Sequence, residues 1–302
     1  MAPREPDGAT TGTTRGTMAA DRLITSCPVG CGKELVETDV ALAEGNLLRC
    51  VACGQLVSQI REFAYTASMA EFDSAVGTLP AASSQRRHDQ RAARMFGHLR
   101  EMLQMRDGTR IRLLDIGCST GALMMSAQRL GIDAEGVEPA RRAAQAAQAA
   151  GLKVFAGTLA DARFHSSSFQ AATLLEVIEH LREPGEVLQE AWRILDSKGV
   201  LIIGTGNAAS WTVAVMKGGW DYFQVNRHGG HISFFTPHSL DCLATRCGFR
   251  MERLETRQVR FVESYQASPV VYRGLKVLGE VLNVPAKLLN RGHDMLAFLR
   301  KV

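Results

Sequence analysis

Two groups of residues in this 302-residue chain have the types and spacing that chemistry needs. The first is "LLEVIEHL", residues 174–181, where a hydrophobic run ends and Glu176, Glu179 and His180 follow within five positions. If the strand end turns into helix, these three sit at i, i+3 and i+4 and share one face. Two carboxylates and an imidazole suit a hard divalent cation such as Mg2+ or Mn2+. An imidazole beside carboxylates also suits general-base work. A third reading is structural, with the side chains only tying down their own loop.

The second group is a cysteine quartet. Cys27, Cys31, Cys50 and Cys53 follow the pattern C-x3-C, eighteen residues, C-x2-C, each pair followed at once by glycine. Thiolates on two tight turns can supply a tetrahedral S4 site for structural Zn2+, and such a site stabilises a segment too short to build its own core. Two disulfides are the alternative, and nothing in the sequence indicates an oxidising compartment. Cys118, Cys242 and Cys247 read as packing residues.

The elements that must position these groups follow from punctuation and period. From residue 111 strands and helices alternate: "IRLLDIGC", "IDAEGVE", "KVFAG", "QAATLLEV" and "GVLIIGT" read as buried strands with helical patterns between them. A helix ("TPHSLDCLATRCG"), a strand ("FRMERLETRQ"), a helical insertion and a last strand ("MLAFLRKV") complete the chain. This predicts an α/β, doubly wound, mostly parallel sheet with ligands at the carboxyl ends of its strands. "LLDIGCSTG" places Asp115 at the first strand end and Gly117 and Gly121 in the turn, so backbone can approach a ligand while helix N-terminal amides face an anionic group. Glu138 ends the second strand about twenty residues later, where an acid can accept hydrogen bonds from both ribose hydroxyls.

Four segments result: a disordered tail (1–20), a zinc-ribbon-like module (21–60), a helical linker (61–108) and the main domain (109–302) with insertions at 208–235 and 259–294. The ribbon is expected to separate from the larger domain when its metal is lost. Within the linker, residues 84–105 form an amphipathic helix with Arg86, Arg87, Arg91 and Arg94 on one side. That face is either solvated or a contact for nucleic acid or phosphate. The composition, 46% hydrophobic and 22% charged, is that of a folded globule and excludes a disordered chain. A net charge of +4 is too mild to demand a nucleic-acid partner. Apolar runs are too short to span a membrane, and residues 1–20 lack the apolar core of a signal peptide, so a cytoplasmic location is expected.

The ordered motifs "LLDIGCSTG", "GVEPA", "GTLADA", "LLEVIEHL", "RILDSKGVLIIGTGN" and "GHISFFTPHSL...GF" resemble the class I S-adenosylmethionine (SAM)-dependent methyltransferases. The branch is the one that includes ubiquinone-biosynthesis O-methyltransferases and many sugar and natural-product methyltransferases. The resemblance covers about residues 109–302 and implies a Rossmann-like seven-stranded sheet that binds SAM, here preceded by a small zinc ribbon. It implies that Gly117, Cys118 and Gly121 bind the methionine portion, with Asp115 supporting that loop and the ligand amine. Glu138 would hold the ribose, Leu159 and Asp161 would border the adenine, and Glu176 would border the transferred methyl. One departure is Phe169-Gln170, where the family usually has Phe-Asp, which weakens a local polar contact.

E-x-x-E-H followed by a distant histidine also resembles the metal site of small-RNA 2′-O-methyltransferases. Here the distant histidine would be His231, with His228 as its substitute, giving His180, His231, Glu176 and Glu179 as the catalytic set, with or without Mg2+ or Mn2+. The expected activity is O-methylation of a sugar or other hydroxylated small molecule. The alternatives are an RNA methyltransferase that grips RNA with ribbon and arginine helix, and a SAM-binding interaction module without catalysis. Trp211, Trp220, Tyr222 and Phe223 within 208–235 read as a lid over the acceptor or as a cap on the core. The amphipathic stretch 264–290 could cover the site, pair subunits or touch a membrane surface. The sequence leaves the acceptor and the oligomeric state open.

Overall fold

The computed structural model describes residues 22–75, 77–104, 109–224, 230–262 and 268–302; the tail 1–20 and His228 lie outside them. The first elements are strands β1 (Leu35–Leu42), β2 (Gly45–Cys50) and β3 (Leu56–Val57), then helices α1 (Glu62–Ala75) and α2 (Ala82–Leu103). Alternation follows: β4 (Arg112–Ile116), α3 (Ala122–Arg129), β5 (Asp133–Glu138), α4 (Arg141–Ala149), β6 (Lys153–Ala156), α5 (Leu159–Ala162) and β7 (Phe169–Leu175). A 3-10 turn at Ile178–His180 leads to α6 (Pro184–Ile194), β8 (Leu195–Gly206) and α7 (Trp211–Met216). The chain ends with β9 (Ser233–Phe234), α8 (Pro237–Arg246), β10 (Phe249–Arg257), α9 (Pro269–Leu288) and β11 (Asp294–Lys301).

Seven strands form one sheet in the order β10-β11-β8-β7-β4-β5-β6. The five from β6 to β8 are parallel, and β11 inserts antiparallel between β8 and β10. Central strands covered by helices on both faces need unbroken apolar runs. Accordingly Leu113, Leu114, Ala171, Ala172, Leu174 and the run Val200–Ile203 are buried. The strand order reverses between β4 and β7, so the crevice for a ligand opens where these two strands end. Gln170, at the departure from the family's Phe-Asp, accepts from the Arg112 backbone N–H at 2.8 Å and donates to Asp196 at 2.7 Å. The residue change thus leaves its local polar contact in place.

The cysteine segment forms a second sheet, β1-β2-β3-β9, whose last strand comes from far along the chain. β3 has two residues and pairs with β9 through Leu56–Phe234 and Val57–Ser233. Ile24, Leu48, Val57 and Ile60 cluster with Ile232, and Cys27, Cys50 and Cys53 belong to the same buried cluster as Leu174 and Ile203 of the large sheet. The ribbon, expected to separate, therefore shares both a sheet and a core with the main domain. A segment this short buries too little apolar surface alone and borrows it from its neighbour. Ile232→Ala should cost about 2–5 kcal/mol by leaving a cavity in that shared cluster. Denaturant unfolding followed by fluorescence and by zinc release should then shift as one transition, whereas a shift confined to zinc release would show separate units.

Candidate active site

At the end of β4 the chain turns through Gly117, at φ +75°, and Gly121, at φ +82°, before α3 begins. An added Cβ on Gly117 would lie 2.4 Å from Val177, and one on Gly121 would lie 2.1 Å from Leu152. Both positions thus combine a left-handed backbone with a close approach that only glycine tolerates. The first contact is also the joint between the two motifs, because Val177 belongs to "LLEVIEHL".

Glu138, at the end of β5, accepts from the backbone N–H groups of Ser119 (2.7 Å) and Ala140 (2.8 Å). It thereby ties the glycine turn to the second strand, and burial raises its carboxyl above the ordinary range. Asp115 accepts from Thr173 Oγ1 at 2.7 Å, and burial pushes its carboxyl up to about 7. Cys118 is buried beneath the turn and packs in the core. Leu159 is buried, and Asp161 caps α5 in a capping box with Thr158.

A cavity of about 360 Å³ opens beside this turn, lined by Asp115, Gly117, Cys118, Ser119, Leu175 and Glu176. Its other wall comes from α2 and β10, through His88, Arg91 and Arg257. Acids and bases on one cavity fit the ammonium and carboxylate of an amino-acid ligand, and the size falls within the usual range for small ligands, roughly 300–1,000 Å³. The residues present therefore fit the methionine end of SAM. Neither Glu138 nor Leu159 lines this cavity; both lie further along the carboxyl edge of the sheet. The α2 wall was not foreseen. The signal was present, since His88 and Arg91 stand three apart on one helix face. The basic face is exposed at Arg86, Arg87, Arg91 and Arg94 as expected, and two of these have partners as well: Arg91 borders the cavity, and Arg94 pairs with the buried Glu255 at 3.2 Å.

The acid and histidine cluster differs from its expected form. Glu176 has φ +55° and the chain then makes a 3-10 turn, so Glu176, Glu179 and His180 do not share a helix face. A left-handed non-glycine residue at a strand end stores strain of the kind found at functional sites. Glu179, His180 and His231 do converge, with one ligand atom from each lying within 4.8 Å of the others, and Glu176 stands outside that group. The two histidine rings are 4.7 Å apart. His231 lies 2.9 Å through Nδ1 from the Tyr222 carbonyl oxygen. Because a carbonyl only accepts, Nδ1 carries a proton, which leaves Nε2 to face the cluster. That nitrogen sits 3.9 Å from Glu179 Oε1, too far for a hydrogen bond.

Tyr222 links the remaining acid. Its hydroxyl donates to Glu179 Oε1, and its oxygen lies 2.9 Å from Glu176 Oε2. Burial and the nearby Glu179 charge raise the Glu176 carboxyl well above the carboxylate range, and the Tyr222 hydroxyl is positioned to donate to either acid. Thr205 Oγ1 completes Glu179 at 2.9 Å. Of the expected lid aromatics, Trp220 and Phe223 are fully buried with Leu47 and Phe234, filling the gap between β2 and β9. They belong to the core, Tyr222 faces the acids, and only Trp211 is half-exposed without a contact to the cluster described here.

At the quartet, sulfur separations are 3.2 Å (Cys31–Cys50), 3.5 Å (Cys27–Cys53) and 3.8 Å (Cys31–Cys53). A tetrahedron with Zn–S bonds of about 2.3 Å has edges of about 3.8 Å, and a disulfide needs about 2.05 Å. The sulfurs therefore suit one Zn2+ and not two bridges. Burial pushes the Cys50 thiol up, but N–H donors from Cys53 and Ala52 outweigh it and bring it to about 7.

A sequence-family model described as "Methyltransferase domain" matches residues 86–254, more than half of the chain. The chain belongs to this methyltransferase family. The domain carries the class I SAM-dependent fold. Among curated relatives, the ubiquinone biosynthesis O-methyltransferase of Azorhizobium caulinodans is 33% identical over 173 residues, covering 53% of this chain and 66% of the relative. The protein of the same name from Psychrobacter arcticus is 27% identical, covering 46% and 58%. The matches thus span slightly under two thirds of these relatives' length. Among solved structures, the 1,6-didemethyltoxoflavin-N1-methyltransferase of Burkholderia thailandensis, with its substrate and S-adenosylhomocysteine bound, shares the fold at TM-score 0.51. It is 14% identical and covers 83% of this chain and 97% of its own.

Two outcomes are expected from this geometry. Carefully purified protein should hold one zinc per chain by elemental analysis and no disulfide by mass spectrometry, and Cys31→Ser should lose the metal. For Asp115 the folded carboxyl titrates near 7 against about 3.9 unfolded, so the folded protein binds the extra proton between these values. Stability of the cofactor-free protein should therefore be unaffected by this group below about pH 4, fall by up to about 4 kcal/mol as the pH rises to about 7, and then level off. Asp115→Asn should flatten that window in denaturant titrations; an unchanged slope would remove Asp115 as its source.

Proposed function

We propose that the protein transfers a methyl group from SAM to a hydroxyl oxygen of a small molecule, with its zinc ribbon serving as structure. When bound, SAM supplies a methyl already activated on a sulfonium. The observation that carries the proposal is the contact of Gly117 with Val177, which sets the cofactor turn against the acid and histidine cluster. The chain's own groups then divide the work. Asp115 and Arg91 suit the two charges of the amino-acid end, and Glu138 suits the ribose.

His180 is the half-buried imidazole of the cluster and takes the acceptor's proton, while buried His231 and Glu179 hold it in place. A divalent cation held by Glu179, His180 and His231 would supply Lewis acidity instead, and Mg2+ or Mn2+ suits a set containing a carboxylate. Glu176 stands outside the Glu179, His180 and His231 group and lines the cavity, so it acts as the hinge between cavity and cluster. The naming of the relatives as O-methyltransferases supports oxygen as the acceptor atom, with the acceptor class kept at hydroxylated small molecules, sugars included. An RNA acceptor is the second reading, since Arg86, Arg87, Arg91 and Arg94 of α2 are all exposed. The domain division proposed is a ribbon at 21–60, a helical linker to 108 and the methyltransferase domain beyond.

The expected result is tight SAM binding by calorimetry, weakened by about 1.5–3 kcal/mol in Glu138→Ala, the scale of a hydrogen bond to a charged group. With labelled SAM and a panel of phenols, sugar nucleotides and RNA, His180→Ala should lower turnover about 100-fold or more while SAM affinity stays unchanged. Loss of turnover on EDTA treatment, restored by Mg2+ or Mn2+, would assign the cation version; indifference to EDTA would assign the base. Binding of SAM without turnover of any acceptor would favour a non-catalytic module.

A further inference from the structure

Helix α9 packs its inner face so closely that a Cβ on Gly279 would lie 2.4 Å from the Val259 carbonyl. Its C-terminal end is fixed by Asn207, whose side-chain amide donates to the carbonyls of Asn290 and Gly292. The outer face is apolar, and no described residue covers it. Val270, Gly274, Val277, Val281, Val284 and Leu288 are all exposed, and the five large ones are between 60% and 80% exposed. Their spacing alternates four, three, four, three, four, which is a 3.5-residue period. Such a stripe is the seam of paired helices packing knobs into holes.

We propose that α9 pairs antiparallel with α9 of a second copy, making the protein a two-fold dimer. Antiparallel about an axis at residue 279, the seam matches itself completely. Val277 meets the partner's Val281, Gly274 meets the partner's Val284 and Val270 meets the partner's Leu288, with each pair repeated by symmetry. Gly274 leaves room for a close backbone approach. With Val271, Leu278 and Leu289 added, the face presents on the order of 800 Å² of apolar surface, the share that one partner brings to a standard interface. That exceeds the largest patch of a typical monomer, roughly 300–600 Å². A membrane surface fits less well. Helices that lie in lipid present Trp, Phe and Leu above a basic face, whereas this seam is mostly valine, with Glu280 among Arg273, Lys276 and Lys287 on its flank.

Sedimentation of the full chain at micromolar concentration should show a dimer. Val277→Glu should raise its dissociation constant at least about 100-fold, because the two-fold axis buries the charge twice. Its helix content and SAM affinity should not change, since no seam residue lines the cofactor cavity. Should Val277→Glu fail to fold, Val277→Ser supplies the same comparison. Mixing Val277→Glu with Val281→Lys should restore a dimer, because the paired layer then joins opposite charges. A monomeric wild type, a dimer indifferent to Val277→Glu, or no recovery on mixing would overturn the proposal. So would wild-type monomers that bind vesicles of anionic phospholipid and lose this with Val277→Glu, which would assign the face to lipid.

Discussion

A carboxylate shut away from water must be fully hydrogen-bonded or it costs several kcal/mol, and Glu179 has no exposed surface. Meeting that demand draws together segments that are far apart in the chain. Thr205 arrives on the last parallel strand and Tyr222 from the segment after α7, while His231, on the approach to β9, stands 3.9 Å away without a hydrogen bond. The backbone carbonyl of Glu179 accepts from Ile232 at 2.9 Å, and the Ile232 carbonyl in turn accepts from Ser58 at 3.0 Å. One hydrogen-bonded line therefore runs from the cysteine ribbon to the buried acid. Networks of this kind fix a unique arrangement because partial satisfaction is costly.

Much of this was legible in the sequence, and the reasons are local. Strand ends, turn glycines and the C-x3-C and C-x2-C turns depend on period 2 or 3.6 and on backbone conformations that only a few residues adopt. The doubly wound sheet, the placement of Asp115 and Glu138 at strand ends, and the convergence of four sulfurs followed from such signals, while the count of seven strands followed from the family likeness. His231 was also placed near His180 correctly, on the strength of a family likeness and not of spacing.

What failed depended on distant packing. Glu176 was put on a helix face with Glu179, but its backbone is left-handed, a state that no neighbouring residue announces. Trp220 and Phe223 read equally well as lid or core, and only the arrival of Leu47 from the ribbon decides for core. Tyr65 donates to the His180 carbonyl at 2.9 Å from a helix that carried no chemical motif at all. The ribbon's partner strand has two residues, below the length at which alternation can be recognised.

The two halves of the site also differ in where they come from. The cofactor cavity is built by α2, β4 and the turn after it, within the stretch 86–254 shared with the family, with a wall from β10 and β11. The acid and histidine cluster is braced by the ribbon at 22–60 and by α1, which lie outside that stretch. Cofactor binding needs the same groups in every member of a family that uses the same cofactor, whereas acceptor recognition need not. A ribbon that completes a sheet beside His231 is thus placed to distinguish this chain by its acceptor and not by its cofactor. A zinc ion on the four thiolates would serve the same geometry: by fixing β2 and β3 it would indirectly fix β9, and with it the backbone that holds Glu179 in register with the turn after β4.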